Sequence, residues 1–226
     1  MQRDYQGIVL FGPPGVGKGA QASILSGARG LVHLSTGDLI REEIRQDTEL
    51  GRRVKRAVDR GRFADDETVL SIVMGQIDRP EYQDGFVMDG FPRNVPQAEM
   101  LDRILADRGR RVTCALFITA SDEVVLRRLA GRRVCTNPDC RTTYHEEFKR
   151  SRTPGYCDIC GSTLGRRHDD DPDTHRERLE TYRLQTAPLA AYYKLSGVVR
   201  RVSGEHSIEG VAAEIDRILN EVPAGQ

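Results

Sequence analysis

The segment Gly12-Pro13-Pro14-Gly15-Val16-Gly17-Lys18 constrains the fold of this chain more than any other part of the sequence. It follows an apolar run, 7–11, and it opens a run with helical spacing, 18–25. Glycines let the backbone curl so that successive N–H groups point at one anion, and the N-terminus of the next helix adds positive potential. A lysine at the end of such a loop reaches the outer phosphates of a nucleotide. The segment therefore predicts a strand, a phosphate-binding loop and a helix, rather than a tight turn with a chance lysine.

Gly19 and Ala20 follow the lysine, which is a departure from the usual phosphate loop. The usual loop has Ser or Thr directly after the lysine, and its hydroxyl holds Mg2+. Neither Gly19 nor Ala20 carries a hydroxyl. We therefore expect Mg2+ to be held mainly by nucleotide oxygens and by waters that carboxylates elsewhere in the chain orient.

Alternating strands and helices predict the fold class. Further helical spacing occurs at 68–77, with Asp66 as its candidate cap, at 96–106, and at 122–129 after Ser121. Five short segments are typical of buried strands: 7–11, 31–34, 85–88, 112–118 and 198–202. This order predicts an α/β fold with a doubly wound, mostly parallel, five-stranded sheet.

Two stretches interrupt this alternation and read as insertions. The first, 36–64, is charged and helical, and the second, 131–168, contains four cysteines and little helical signal. A charged helix is predicted over 173–187, and Pro188 should break it because proline has no N–H to donate. The expected division is a core domain of 1–34, 65–130 and 171–226, with insertions at 35–64 and 131–170.

The second insertion carries paired cysteines. Cys135 and Cys140 are separated by four residues, and Cys157 and Cys160 by two, which is typical of a closed tetrahedral zinc site. Disulfides are the main alternative, and similar thiolate sites accept iron. Metal binding would supply the stability that so short and polar a segment lacks. The fifth cysteine, Cys114, lies in a predicted strand and reads as a small buried residue.

Composition narrows the class of protein. Lys plus Arg and Asp plus Glu both number 34, a balance that disfavours general nucleic-acid binding. No apolar run approaches the length of a membrane span, and the first residues lack the pattern of a signal peptide. We therefore expect a cytoplasmic protein that contacts neither membranes nor nucleic acid, in which cysteines stay reduced.

The carboxyl ends of three predicted strands carry compatible chemistry. The first strand ends in the phosphate loop, the second precedes Asp38 and Arg41, and the third precedes Asp89 and Arg93. Ligands of open parallel sheets bind at this edge. Acids there can orient the waters of Mg2+, and arginines can hold phosphates, so the edge is predicted to bind a phosphorylated ligand.

The chain resembles the adenylate kinases. The segments 12–21, 35–41 and 89–93, then Gln97, then Arg128 with Arg132 and Arg133, occur in the order found in that family, and the match covers almost the whole chain. The resemblance implies a P-loop kinase fold with a lid for the monophosphate and a zinc-binding lid. It also implies a monomer that converts ATP and AMP reversibly into two ADP, with Mg2+ bound to ATP.

The resemblance also implies roles for individual residues. For ATP, these residues are Gly12, Gly15, Val16, Gly17, Lys18, Gly19, Ala20, Arg128 and Arg132. For AMP, they are Thr36, Arg41, Arg62, Ala64, Gly90, Arg93, Gln97, Arg167 and Arg178. The catalytic set is Lys18, Arg93, Arg128, Arg132, Arg167 and Arg178, with Asp38 and Asp89 holding Mg2+ through water. Asp169 and Asp170 match acids at the hinge of the lid, and no residue is assigned as a general base.

The residues leave three alternative functions open. A kinase for CMP or UMP would use the same phosphate chemistry with a different base contact. A zinc-ribbon module could bind nucleic acid and use ATP as a regulatory ligand, although the second insertion has few aromatic residues for stacking. A structural scaffold with a relic site is the third, and the combination of Lys18, Arg93 and Arg132 disfavours it.

Overall fold

The computed structural model describes residues 6–60, 64–166 and 172–221. Five parallel strands form the central sheet in the order β2-β3-β1-β4-β8, and a separate antiparallel sheet has the order β6-β5-β7. The strands are β1 (Gln6–Phe11), β2 (Val32–Ser35), β3 (Gly85–Asp89), β4 (Cys114–Thr119), β5 (Arg132–Cys135), β6 (Thr143–His145), β7 (Leu164–Gly165) and β8 (Val199–Ser203). The predicted parallel five-stranded sheet is therefore confirmed.

Helices connect these strands. They are α1 (Lys18–Arg29), α2 (Thr36–Arg45), α3 (Glu49–Asp59), α4 (Asp66–Ile77), α5 (Val95–Ala106), α6 (Asp122–Ala130), α7 (Pro172–Thr181), α8 (Leu189–Leu195) and α9 (Ile208–Glu221). A short 3-10 helix, Pro80–Tyr82, and a π-helical turn, Tyr182–Thr186, complete the set in the described part of the chain. None of these helices has the length and apolar composition needed to cross a bilayer.

Alternating side chains of β1 build two separate cores on the two faces of the sheet. Ile8 and Leu10 pack into one core, with α1 and α9 residues such as Leu25 and Ile215. Val9 and Phe11 pack into the other core, which contains residues of α4, α5 and α8. Both faces of the central strands are thus buried, which explains why their sequences are apolar runs without alternation.

The sheet register brings the carboxyl ends of the strands to one edge. Leu10, near the end of β1, is paired with Asp89 at the end of β3, and Ser35 at the end of β2 is paired with Asp89 from the other side. On the opposite side of β1, Phe11 is paired with Phe117 of β4. The loops that follow these strands therefore start side by side.

The two predicted insertions have different architectures. The first, between β2 and β3, contains α2 and α3, which pack together through residues such as Ile40, Val54 and Gly51. The second, between α6 and α7, is the small antiparallel sheet, and its buried residues are Cys135, Tyr144 and Cys157. Such a core buries little apolar surface, so this segment depends on other interactions for its stability.

Several local predictions need correction. Asp65, not Asp66, caps α4, because its extended backbone lets its carboxylate accept the N–H of Thr68. Ser121 precedes α6 as predicted but makes no capping bond with its side chain. The helix predicted over 173–187 widens into the π-helical turn after Thr181, where Ala187 N–H donates to the carbonyl of Tyr182, and α8 starts after Pro188.

We expect Gly51→Ala to lower the free energy of unfolding by about 1–3 kcal/mol, because the new methyl group would overlap the backbone carbonyl of Glu43 and lie 2.7 Å from the nitrogen of Ile44. The matched control is Gly75→Ala in α4, where a Cβ has no neighbour within 4 Å. That substitution should stabilise the protein by up to about 1 kcal/mol, because alanine favours helix more than glycine. Urea unfolding measures both variants, and equal effects would contradict the close α2–α3 contact.

Candidate active site

The phosphate loop has the curled backbone that its glycines predicted. Gly12, Gly15 and Gly17 have φ angles of 152°, 81° and 107°. At Gly15 a Cβ would lie 2.6 Å from the Leu129 side chain, so both the conformation and the space require glycine. Helix α1 begins directly after Gly17 without a side-chain cap. Its first N–H groups therefore point to a position where an anion can bind.

Lys18 lies at the centre of the site. Its Nζ donates to the carbonyls of Gly12 and Pro13, at 2.9 and 3.0 Å, and so spans the phosphate loop. Burial lowers the pKa of Lys18 from 10.5 to about 8. Asp89 acts in the opposite direction and raises this pKa. The ammonium group is therefore poorly solvated and suited to an anionic partner.

Three guanidinium groups act on the charge of Lys18. Arg93, Arg132 and Arg178 are close enough that each lowers its pKa by charge repulsion. They come from the loop after β3, from β5 and from α7, so three separate parts of the chain converge. Four cations from different parts of the chain, together with Asp89, form a region suited to hold several negative charges at once.

The ends of β2 and β3 are joined by hydrogen bonds. Thr36, which is fully buried, donates its hydroxyl to the carbonyl of Asp89 at 3.1 Å. Arg93 Nε donates to the carbonyl of Gly90 at 2.7 Å. A side chain at Gly90 would lie 2.7 Å from Thr36 Oγ1, so the two strand ends approach too closely for any residue but glycine. These contacts fix the position of Arg93 relative to the phosphate loop.

The two predicted magnesium acids lie in different surroundings. Asp89 Oδ2 is 3.3 Å from the position that a Cβ of Gly19 would take, so this carboxylate adjoins the start of α1. Asp38 forms an ion pair with Arg41, in which Arg41 Nη2 lies 2.6 Å from Asp38 Oδ1. Asp89 is thus directed at the phosphate loop, whereas Asp38 contacts another predicted site residue.

Arg128 contacts the phosphate loop from α6. Its Nη1 donates to the carbonyls of Val16 and Gly204 at 3.1 and 2.6 Å, and its Nη2 donates to that of His206 at 3.2 Å. Its guanidinium also lies 5.7 Å from the ring centre of Phe148 in the second insertion. Arg128 therefore ties the phosphate loop to the loop between β8 and α9.

The two insertions contact each other across the site. Arg141, in the cysteine-rich insertion, places Nη2 3.0 Å from Glu42 Oε2 of α2 and Nη1 3.5 Å from the carbonyl of Asp38. Beside this pair is a cavity of about 230 Å³. Its lining comes from both insertions: Asp38, Arg41, Val134, Cys135, Thr136, Pro138 and Arg141.

The four predicted metal ligands lie together. All four sulfur atoms are within 4.8 Å of one another, with Cys135 Sγ 3.4 Å from Cys160 Sγ and Cys140 Sγ 3.6 Å from Cys157 Sγ. A tetrahedral zinc with Zn–S bonds of about 2.3 Å separates its sulfurs by about 3.8 Å. The cluster therefore fits such an ion. All five cysteines are free, so the disulfide alternative is wrong for this structure.

Comparisons with known proteins give one family. The profile described as adenylate kinase matches residues 10–198. The adenylate kinase of Clostridium acetobutylicum is 42% identical over 215 residues, which cover 95% of this chain and 99% of that protein. The adenylate kinases of Caldicellulosiruptor saccharolyticus and Clostridium botulinum type Ba4 are 40% and 42% identical over 94% of this chain. The chain belongs to the adenylate kinase family.

Membership of the adenylate kinase family identifies the chain as a phosphotransferase. Among the described residues, the structure brings Lys18, Asp89, Arg93, Arg132 and Arg178 together. Gln97 is held near Arg93, and Ala64 is buried in the core that also contains residues of α4. Arg62 and Arg167, with the hinge acids Asp169 and Asp170, lie outside the described residues.

Two residues that contact this site were not predicted as site residues from the sequence. Arg141 contacts the first insertion, and its position directly after Cys140 was the available signal. Asp66 contacts Asn94 and Gln97 at the start of α5. Its neighbour Asp65 already caps α4, so two adjacent acids at one helix start could have indicated a second role for one of them.

We expect Arg128→Ala to lower the free energy of unfolding by about 1.5–3 kcal/mol, because three carbonyls lose a charged donor. The matched control is Arg127→Ala on the same helix. Arg127 pairs with Glu147 on the surface, with side-chain exposures of 64% and 43%. Its loss should cost less than about 1 kcal/mol. Urea unfolding compares the two variants, and equal losses would contradict the role of Arg128 in tying these loops together.

Proposed function

We propose that this protein catalyses the reversible transfer of the terminal phosphate of ATP to AMP, giving two ADP. The observation that carries the proposal is the convergence of Lys18, Arg93, Arg132 and Arg178 beside the phosphate loop. The names of its relatives in the adenylate kinase family support the choice of these two nucleotides.

The reaction needs positive charge more than it needs a base. In phosphoryl transfer, charge spreads over three oxygens of the transferred group, so positioning and preorganised cations dominate catalysis. Two anionic nucleotides facing each other would repel without that compensation. AMP phosphate is already ionised near neutral pH, so the protein needs no residue to remove a proton from it.

The donor nucleotide is assigned to the phosphate loop. In this proposal the loop N–H groups and Lys18 hold the phosphates of ATP, while Arg128 and Arg132 border the same nucleotide. Asp89 and Asp38 would hold Mg2+ through water, and the bound ion would screen the charges of the phosphates. The proposed ATP residues are Gly12, Gly15, Val16, Gly17, Lys18, Gly19, Ala20, Arg128 and Arg132.

The acceptor nucleotide is assigned to the ends of β2 and β3 and to the first insertion. Arg93 would lie between the two nucleotides; its bond to the carbonyl of Gly90 at the end of β3 and its effect on the pKa of Lys18 support this position. Arg178 would contact the transferred group from α7. The proposed AMP residues are Thr36, Arg41, Arg62, Ala64, Gly90, Arg93, Gln97, Arg167 and Arg178.

The two insertions are proposed to close over the nucleotides and to exclude water, which would otherwise accept the phosphate. The proposed division is a core of 1–34, 65–130 and 171–226, a monophosphate lid of 35–64 and a metal-binding lid of 131–170. The contact between Arg141 and Glu42 supports this, because it joins the two insertions directly.

The cysteine cluster is proposed to hold a structural Zn2+. Four sulfurs with no histidine or carboxylate among the cluster favour zinc or iron, and zinc is the ion typical of a closed tetrahedral site. A cytoplasmic location, which would keep these thiols reduced, is also proposed. We further propose that the protein works as a monomer and contacts neither nucleic acid nor membranes, in line with its balanced charge.

A coupled assay of ADP formation from ATP with AMP, CMP, UMP or GMP tests the function. We expect AMP to be the preferred acceptor, and Lys18→Ala and Arg93→Ala each to lower kcat/KM by about 10²–10³-fold. The controls are Lys194→Ala in α8 and Arg217→Ala in α9, which should keep wild-type activity. Equal use of CMP or UMP would favour a pyrimidine nucleotide kinase, and salt-sensitive nucleic-acid binding without phosphotransfer would favour the zinc-ribbon alternative.

Metal analysis of the purified protein tests the cysteine site. We expect one zinc per chain in the wild type and little or none in Cys140→Ser, with a melting temperature lower by about 5 °C or more because metal binding stabilises a segment with a small core. The control is Cys114→Ala, which changes the buried cysteine of β4 and should keep the metal. Iron in the purified protein would contradict the choice of ion, and full metal content in Cys140→Ser would contradict the site.

A further inference from the structure

The side-chain amide of Gln97 is held at both of its ends. Gln97 Oε1 accepts the backbone N–H of Arg93 at 2.7 Å, and Gln97 Nε2 donates to Asp66 Oδ1 at 2.6 Å. A backbone N–H can only donate, and a carboxylate can only accept. The reversed amide would place two donors together at one end and two acceptors together at the other. The two bonds therefore fix a single orientation.

Asp66 is itself held in place by α5. Asn94 Nδ2 donates to Asp66 Oδ1 and Oδ2 at 3.0 and 3.3 Å, while Asn94 Oδ1 caps α5 by accepting the N–H of Gln97 at 2.8 Å. Asp66 is also the first residue of α4, and negative charge is favourable at a helix N-terminus. Asp66 thus links the starts of α4 and α5 and aims its carboxylate at Gln97.

The fixed orientation determines which base edge Gln97 can accept. After these two bonds, the amide keeps one N–H and one oxygen lone pair. An amino group beside an unprotonated ring nitrogen, as in adenine, offers the matching acceptor and donor. An oxo group beside a ring N–H, as in hypoxanthine, offers the reverse pattern. Pairing with hypoxanthine would require the amide to turn over and break both bonds.

We propose that Asp66 is a positioning residue that selects an amino base over an oxo base by locking the amide of Gln97. This inference rests on the proposed function, because it takes Gln97 as a contact of the acceptor base. Gln97 has no exposed surface in the structure, so a base reaches it only after neighbouring side chains move apart. The bonds to Asp66 and Arg93 preserve the orientation of the amide during that movement.

The test compares AMP with IMP, which differ only at the 6-position and at the N1 proton. We expect Asp66→Asn to lower the ratio of kcat/KM for AMP to kcat/KM for IMP several-fold, because asparagine can turn its own donor towards Gln97 and only the N–H of Arg93 then holds the orientation of the amide. The KM for ATP should stay within about twofold of wild type, since the donor nucleotide is remote from this contact. A purely structural role for Asp66 would not change the AMP to IMP ratio.

The matched control is Glu67→Gln, which removes a negative charge from the same first turn of α4 and should leave the ratio unchanged. If folded Asp66→Asn keeps the wild-type ratio, the inference is overturned while the proposed function stands. If the wild type fails to phosphorylate AMP, the proposed function itself has failed.

A second variant covers the case in which Asp66→Asn does not fold. Asn94→Ser keeps a capping oxygen for α5 but removes the donor that holds Asp66. We expect a smaller fall in the AMP to IMP ratio in this variant, again with an unchanged KM for ATP. An unchanged ratio in Asn94→Ser would then overturn the inference.

Discussion

The burial of positive charge around Lys18 is the constraint on which the rest of the structure depends. One ammonium and three guanidinium groups lie near one another, and among the described residues Asp89 is the carboxylate that raises the pKa of Lys18. Bringing these cations together is costly without anions, because both desolvation and mutual repulsion oppose it. The favourable free energy of folding offsets this repulsion before any nucleotide binds, so bound phosphates meet cations that are already in position.

The central sheet makes this concentration of charge possible. Parallel pairing of β1, β2 and β3 brings the phosphate loop, Thr36 and Arg93 to one edge, while buried apolar cores hold the strands from both faces. Arg132 and Arg178 come from outside the central sheet, from β5 of the second insertion and from α7. The site therefore combines residues of the core with Arg132 of the second insertion, and the proposed closure of that insertion would exclude water once two nucleotides have entered.

The sequence predicted the parts of the structure that depend on residues close together in the chain. Glycine spacing specified the phosphate loop, apolar runs specified the five strands, and paired cysteines specified the sulfur cluster. The sequence did not predict which of two neighbouring acids caps α4. Asp65 and Asp66 can both cap a helix, and only the contacts between α4 and α5 decide between them. The contacts of Arg128 with Gly204 and His206 join residues far apart in the chain, which no local pattern encodes.

The two insertions contact each other through a weak ion pair, and its weakness matters for product release. Arg141 and Glu42 form a partly exposed pair, and pairs of this kind contribute at most about 1 kcal/mol. A stronger apolar contact between α2 and the cysteine-rich insertion would hold the site shut and trap the product. The charges at the centre of the site repel one another when phosphates leave, whereas the pair at the rim attracts. In the proposed closure of the two lids, bound nucleotides rather than this weak contact would therefore hold the lids closed.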